Sequence, residues 1–303
     1  MSQPSLQYVH CPDATAGHRM AYWQWGNAAA AHVVVCVHGL SRQGRDFDTL
    51  AAHLVNESKG DIRVVCPDVV GRGESDWLKD SAGYQVPAYA ADMLALLAHL
   101  HAQAPITHLD WIGTSMGGLI GLVVCGQPGL PLPAPVRKLV LNDVGPALEW
   151  RAIQRIGKYL GQAGQFDTLQ EAADAMWAIS SGFGPHTPAQ WLALSAPMVR
   201  PVSALSGTRL CLHYDPAIAA PFKLATREGA QQGEAALWQL YDAIQADTLV
   251  LRGAETDLLS CETARAMTQR GPRARLVEFA GVGHAPTLVA SDQTALVTGF
   301  LLS

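Results

Sequence analysis

The sequence predicts an α/β protein whose mostly parallel sheet is covered by helices on both faces and is interrupted by a helical insertion. Short β-branched runs such as His32–Val37 alternate with stretches of helical periodicity, which is typical of parallel sheets. The alternation stops near Pro146 and resumes at Thr248. Hydrophobic residues make up 49% of the 303 residues and charged residues 16%, so the chain can bury a large core and is not a disordered polymer.

The individual elements follow from the spacing of the apolar residues. The predicted strands, which share short apolar runs, are Leu6–Cys11, Met20–Trp25, His32–Val37, Arg63–Cys66, Leu109–Ile112, Val136–Leu141, Thr248–Leu251 and Arg275–Phe279. The predicted helices, which share apolar residues at helical spacing, run from Phe47 to Leu54, Tyr89 to His101, Met116 to Cys125, Glu262 to Arg270, and through Leu302 at the end.

The interruption divides the chain into a core of residues 1–145 and 242–303 and a helical cap, or lid, of residues 146–241. Many of the aromatic residues fall within this cap. Four of them, Trp150, Trp177, Phe183 and Trp191, either wall an apolar substrate pocket or form the cap's own core.

The net charge and the first residues of the sequence limit the classes of partner and the cellular compartment that we expect. With 21 Lys and Arg against 26 Asp and Glu, the net charge is −5, so we expect neither nucleic acid nor a membrane surface as a partner. The six cysteines form no CxxC pair, and the residues from Met1 to Ser5 resemble no secretory signal. We expect a cytoplasmic protein with reduced thiols, and a homodimer is compatible with the sequence.

A chemical motif stands at Gly113-Thr114-Ser115-Met116-Gly117, between a predicted strand and a predicted helix. Glycines two residues on either side of Ser115 permit a sharp strand-to-helix turn, on which the hydroxyl stands clear of the sheet. The free N–H groups at the start of the helix lie beneath it. Ser115 is therefore the predicted nucleophile.

Four segments give the chain a resemblance to the α/β-hydrolase superfamily, in particular to serine carboxylesterases with a helical cap. They are His38-Gly39, the Gly71–Asp76 segment, the Ser115 turn, and Gly283-His284, and together they extend over most of the chain. The resemblance implies an eight-stranded sheet and a serine, acid and histidine triad in that chain order.

The resemblance also implies the partners of Ser115. His284, in a glycine-flanked loop after the last strand, is the expected base. Asp257, after the Thr248–Leu251 strand, matches the family's position for the acid. Asp143 is the alternative acid, because some members of the superfamily take it from the preceding strand; its other role is to hold the turn into the cap.

The expected oxyanion hole consists of the backbone N–H groups of Met116 and Leu40. Arg42 either binds a substrate carboxylate or anchors its loop. His38 and Arg72 are expected to brace neighbouring loops.

We therefore expect a serine hydrolase that cleaves small carboxylic esters through an acyl-enzyme intermediate. A carbon–carbon bond hydrolase of aromatic ring cleavage and a lactonase are alternatives that use the same triad. A slow-turnover ligand-sensing module is an alternative of another class. Because the sequence has no HExxH motif, no histidine–cysteine cluster and no phosphate loop, we expect no cofactor and no metal.

Overall fold

The strands form two sheets in a computed structural model of the chain, which describes residues 3–13, 16–162, 164–204 and 207–303. In chain order they are β1 (Ser5–Cys11), β2 (His18–Gly26), β3 (His32–Val37), β4 (Ile62–Pro67), β5 (His108–Thr114), β6 (Val136–Asn142), β7 (Gln165–Phe166), β8 (Val199–Ala204), β9 (Gly207–Leu212), β10 (Asp247–Gly253) and β11 (Arg275–Phe279). The large sheet has the order β1-β2-β4-β3-β5-β6-β10-β11. Strand β2 is antiparallel to both of its neighbours. The strands that follow it in this sheet order, from β4 through β3, β5, β6 and β10 to β11, run parallel to one another. The predicted eight-stranded, mostly parallel sheet is confirmed.

Strand β3 shows why this sheet is buried on both faces. Its residues Val33, Val35 and Val37 pack into one hydrophobic cluster, whereas Val34 and Cys36 pack into a second cluster on the opposite face. Successive side chains of a strand point to opposite sides, so a continuous apolar run fills two cores at once.

Helices cover each face of the sheet. They are α1 (Asp48–Glu57), α2 (Val86–Gln103), α3 (Met116–Gly126), α4 (Trp150–Tyr159), α5 (Leu169–Ser180), α6 (Pro188–Ser195), α7 (Ala220–Lys223), α8 (Arg227–Ala243), α9 (Cys261–Met267) and α10 (Ser291–Leu302). Helices α2, α3 and α8 lie together on one face, and α1 and α10 lie together on the other. Within the described ranges, no helix combines the length and the hydropathy needed to cross a bilayer.

The segment between β6 and β10 contains strands as well as helices, which corrects the expectation of a purely helical cap. Strands β7, β9 and β8 form a separate antiparallel sheet in that order. The described residues of β8 are partly buried or exposed, and the strand contains Pro201. These strands lack the continuous apolar run that identifies a buried strand, so periodicity did not predict them.

Helix α8 corrects the expected boundary of the insertion at residue 241, because it runs across that position as one continuous helix. It packs closely against α3 of the core. A Cβ atom on Gly126, at the end of α3, would lie 2.1 Å from the carbonyl oxygen of Leu240. Helix α8 therefore covers the large sheet, and the insertion ends before this helix begins at Arg227.

All six cysteines are free thiols, which agrees with the expectation from their spacing. Cys11, Cys36 and Cys66 are buried. Burial also raises the pKa of the Cys125 thiol to about 12. The Cys125 thiol is therefore protonated, and the three buried cysteines pack as small apolar side chains.

The close contact of α3 with α8 generates a prediction on stability. We expect Gly126→Ala to lower the free energy of unfolding by about 1–3 kcal/mol, because the added methyl group meets a backbone carbonyl that cannot rotate away. Urea denaturation followed by circular dichroism measures the change.

Gly157→Ala is the matched control. Gly157 lies in α4, where an added Cβ atom has no neighbour within 4 Å. Alanine should raise helix stability there by about 0.5–1 kcal/mol. Equal stability of the Gly126→Ala protein and the unaltered protein would contradict the packing of α8 on α3.

Candidate active site

Ser115 occupies a sharp turn between the end of β5 and the start of α3. Its φ of 52° and ψ of −115° are an unusual conformation for a residue with a side chain. A Cβ atom on Gly117 would lie 2.0 Å from the carbonyl oxygen of Val37, and one on Gly113 would lie 2.3 Å from that of Gly117. The turn therefore requires glycine at both positions, and it leaves Ser115 in the wall of a cavity.

The structure brings His284 to Ser115. The imidazole Nε2 lies 2.9 Å from the Ser115 Oγ. The loop that carries His284 is held by Asn142, whose amide donates to the Pro286 carbonyl at 2.8 Å and to the Thr114 hydroxyl at 2.9 Å. With its proton on Nδ1, the ring can accept the proton of the serine hydroxyl at Nε2.

The carboxylate beside His284 belongs to Asp143. Its Oδ2 lies 2.7 Å from Nδ1 of His284, and the side chain is fully buried. The carboxylate also accepts from the Gly253 N–H at 2.9 Å and from the Thr256 hydroxyl at 2.6 Å. Strands β6 and β10 are parallel neighbours, so the residues that follow them meet at the same edge of the sheet. The alternative acid of the sequence analysis thus contacts the imidazole.

Asp257, the favoured acid of the sequence analysis, is paired with an arginine of the insertion instead. Arg155 of α4 donates from Nε to Oδ2 at 2.6 Å and from Nη2 to Oδ1 at 2.7 Å. The hydrogen bonds from Arg155 hold the pKa of Asp257 below its usual value, and the positive charge of the same guanidinium adds to the effect. Because both carboxylate oxygens are bound by Arg155, the expectation that Asp257 orients the imidazole is corrected.

The two expected oxyanion residues adjoin Ser115. The loop after β3 lies against the serine, since a Cβ atom on Gly39 would be 3.7 Å from the Ser115 Cβ. Leu40, the next residue, lines the same cavity. Met116 is the first residue of α3, where backbone N–H groups have no acceptor within the helix.

Two buried side chains brace this loop, as expected. Arg72 donates from Nε to the Leu40 carbonyl at 2.8 Å, and its Nη2 lies 3.6 Å from the Met116 sulfur. The Nε2 of His38 accepts the Val69 N–H at 2.9 Å. Burial lowers the pKa of His38 to about 3, so the ring stays neutral and keeps this acceptor. Arg72 thus contacts both expected oxyanion residues.

A cavity of about 370 Å³ opens onto Ser115 and His284. This volume is at the lower end of the range of about 300–1,000 Å³ that is typical of small-molecule sites. The core and the insertion both contribute to its wall. The apolar lining includes Leu40, Ile156, Leu160, Met176, Phe183 and Met198.

The expected substrate-binding residues are divided between the cavity and the interior of the insertion. Phe183 and Arg42 line the cavity, whereas Trp150, Trp177 and Trp191 are not among its lining residues. The rings of Trp177 and Trp191 meet edge to face at 4.9 Å, and the Trp191 indole donates to a backbone carbonyl. Of the two roles that the sequence left open, Trp177 and Trp191 have the structural one, because they pack in the insertion's own core.

Arg42 anchors its loop to the insertion. Its guanidinium donates to both carboxylate oxygens of Asp46, at 2.8 and 2.6 Å, and to the carbonyl of Leu194 in α6 at 3.1 Å. The side-chain amide of the next residue, Gln43, donates to the carbonyl of Pro197. The loop that follows Leu40 is thus hydrogen-bonded to the backbone of the insertion at two consecutive residues.

Sequence reasoning missed the cavity residues of α4, which are Arg155, Ile156 and Tyr159. Arg155 and Tyr159 stand four positions apart, and so lie on one face of the helix, next to the buried Ile156. This spacing was readable in the sequence. It shows which side chains share a face, but it does not show that the face borders a cavity.

One group of possible metal ligands occurs among the described residues. Cys11, His18 and Asp92 bring one ligand atom each within 4.8 Å of one another. The His18 Nε2 is hydrogen-bonded to Asp92 at 3.1 Å, which raises the pKa of His18. These residues belong to β1, β2 and α2, and they do not line the cavity at Ser115.

Comparisons with known proteins identify the fold and the type of enzyme. Residues 34–297 match the model of the alpha/beta hydrolase family. The chain is 49% identical over 299 residues to a 3-hydroxybutyrate-oligomer hydrolase of Cupriavidus necator, covering 99% of this chain and 98% of that protein. A solved alpha/beta hydrolase structure from Novosphingobium aromaticivorans is 34% identical, with a TM-score of 0.80 over 100% of this chain and 99% of that one. A 2-hydroxy-6-oxo-2,4-heptadienoate hydrolase of Pseudomonas putida is 24% identical, covering 85% of this chain and 84% of that protein.

The roles of Asp143 and Asp257 can be distinguished by measuring the reactivity of Ser115. We expect Asp143→Asn to slow covalent labelling of Ser115 by a fluorophosphonate by about 100-fold or more, because an amide no longer holds the imidazole with its proton on Nδ1. Mass spectrometry of the labelled protein over time gives the rate. Asp257→Asn, which removes a carboxylate bound to Arg155, should leave the labelling rate close to that of the unaltered protein. The opposite ranking would assign the acid to Asp257.

Proposed function

Since the chain belongs to the alpha/beta hydrolase family, we propose that it is a serine hydrolase of carboxylic esters whose substrates are short oligomers of 3-hydroxybutyrate. The observation that carries the proposal is the chain of hydrogen bonds from Asp143 through His284 to Ser115. The substrate rests on the 49% identity to the 3-hydroxybutyrate-oligomer hydrolase along nearly the whole of both chains.

In the proposed reaction, His284 takes the proton of the Ser115 hydroxyl as its oxygen attacks the ester carbonyl. The N–H groups of Met116 and Leu40 donate to the oxyanion that forms; one such donor is worth about 3–4 kcal/mol in known hydrolases. The carbon–oxygen bond of the ester then breaks, and the imidazolium gives its proton to the departing alcohol. Water, deprotonated by His284, attacks the acyl-enzyme and releases the acid and Ser115.

Asp143 is the proposed acid of the triad. A buried carboxylate at Nδ1 fixes the tautomer of the ring and stabilises the imidazolium while it carries the second proton. The bonds from Gly253 and Thr256 to the same carboxylate support this role, because they hold its oxygens in place.

The cavity fits a small, branched, aliphatic ester. Oligomers of 3-hydroxybutyrate present methyl and methylene groups, and the wall of the cavity is mostly aliphatic and aromatic. A carbon–carbon bond hydrolase is the second candidate, since the chain is also similar, at 24% identity, to a 2-hydroxy-6-oxo-2,4-heptadienoate hydrolase.

The nucleophile is tested by Ser115→Ala. We expect this change to abolish the release of 3-hydroxybutyrate from its dimer and trimer, because the acyl-enzyme cannot form. Chromatography of the products measures the release, and circular dichroism checks the fold. Ser291→Ala, at an exposed position of α10, is the control that keeps full activity.

Release of 3-hydroxybutyrate by the Ser115→Ala protein would overturn the proposed mechanism. A panel of p-nitrophenyl butyrate, a lactone and a ring-cleavage dienone then tests the substrate. If the protein hydrolyses the dienone or the lactone better than the oligomers, the proposed substrate is wrong and the preferred compound class takes its place. Stoichiometric labelling of Ser115 without turnover of any of these esters would indicate a ligand-sensing module instead.

A further inference from the structure

The charged groups in the wall of the cavity are few. Among the described residues that line it, Arg42, Asp46 and Arg155 carry guanidinium or carboxyl side chains. Arg42 and Asp46 form a pair with 13% and 20% of their side chains exposed. Arg42 also donates to the carbonyl of Leu194, so this guanidinium is held on two sides. The charge of Arg42 is therefore balanced by Asp46, which also lines the cavity.

Arg155 is placed differently, because its counter-ion is not part of the cavity wall. Asp257, which binds it, is absent from the lining residues. The two side chains are 40% and 46% exposed. An ion pair as exposed as this contributes little to stability, so a second carboxylate can share the guanidinium at little cost in free energy. Arg155 therefore brings an available positive charge to a wall that is mostly aliphatic and aromatic.

The position of Arg155 does not depend on the ion pair alone. Ala152 and Ile156 of the same helix pack against Leu258, the residue after Asp257. The N–H of Glu149 donates to the carbonyl of Leu258 at 3.1 Å. These contacts fix α4 to the turn after β10, so the backbone of Arg155 is held at the cavity independently of the ion pair. A preorganised arginine loses little freedom on binding an anion.

We propose that Arg155 binds the terminal carboxylate of an acidic ester while Ser115 attacks the ester bond. This inference rests on the proposed function, and it adds the residue that would recognise the free carboxylate of the oligomer and so favour acidic over neutral esters. The planar guanidinium offers two parallel N–H donors to a carboxylate, as it already does to Asp257. An oligomer of 3-hydroxybutyrate has one such carboxylate, at the end opposite its free hydroxyl group.

The test compares the dimer of 3-hydroxybutyrate with its terminal carboxamide, which has the same scissile ester and nearly the same shape but no charge. We expect the unaltered protein to hydrolyse the acid about 10- to 100-fold better than the amide in kcat/KM, the range expected when a hydrogen bond to a charged group is removed. Arg155→Gln should bring this ratio close to one. Because both substrates are measured on the same variant, a general loss of activity cancels from the ratio.

Arg151→Gln is the matched control. Arg151 lies one turn earlier on α4, is exposed and does not line the cavity, so its removal changes the charge of the same helix without touching the substrate. This variant should keep the preference of the unaltered protein. Asp257→Asn should keep or increase the preference, because it removes the competing carboxylate. Loss of preference in the Asp257→Asn protein, or equal loss in the Arg151→Gln and Arg155→Gln proteins, would overturn the inference.

Binding without turnover separates this inference from the proposed function. Isothermal titration calorimetry with the Ser115→Ala protein should show tighter binding of the acid than of the amide, and Arg155→Gln in that background should remove the difference. Tighter binding of the acid without hydrolysis by the unaltered protein would reject the proposed substrate and keep the carboxylate site. Hydrolysis of acid and amide at equal rates would reject the carboxylate site and keep the esterase.

Discussion

The burial of the Asp143 carboxylate is the constraint on which the site depends. A fully buried carboxylate is costly unless partners on several sides satisfy its oxygens. Here the imidazole of His284, the Gly253 N–H and the Thr256 hydroxyl supply those partners. Two of them come from β10 and the residues that follow it, next to the strand that precedes Asp143. The pairing of β6 with β10 therefore sets the position of the carboxylate, and the carboxylate in turn sets the orientation of the ring that faces Ser115.

The core and the insertion make different contributions. The core supplies Ser115, His284, Asp143 and the loop at Leu40, all at the ends of strands of one rigid sheet. The insertion supplies most of the apolar wall and Arg155. This division explains why short motifs identify the chemistry of such a protein more readily than its substrate. The motifs describe turns of the core, whereas the cavity depends on how about eighty residues fold above it.

Much of the core could be predicted from the sequence, because strands such as β3 and the turn at Ser115 have strong local signals. The choice between Asp143 and Asp257 could not. Both follow strands that end at the same edge, and the outcome depends on Arg155, which is 102 positions from Asp257 and binds its carboxylate. The small sheet of the insertion was missed because its strands are half exposed and lack apolar runs. Trp177 and Trp191 were ambiguous for a related reason: an aromatic side chain that fills a small core has the same sequence signature as one that walls a pocket.

The attachment of the Arg42–Gln43 loop to the insertion has a consequence for how the core and the insertion can move. These two side chains hold the backbone at Leu194 and Pro197, and the loop they belong to begins beside the nucleophile. Any movement of the insertion away from this loop would have to break both hydrogen bonds. The backbone next to the nucleophile and the segment that walls the cavity are therefore coupled mechanically through two neighbouring side chains.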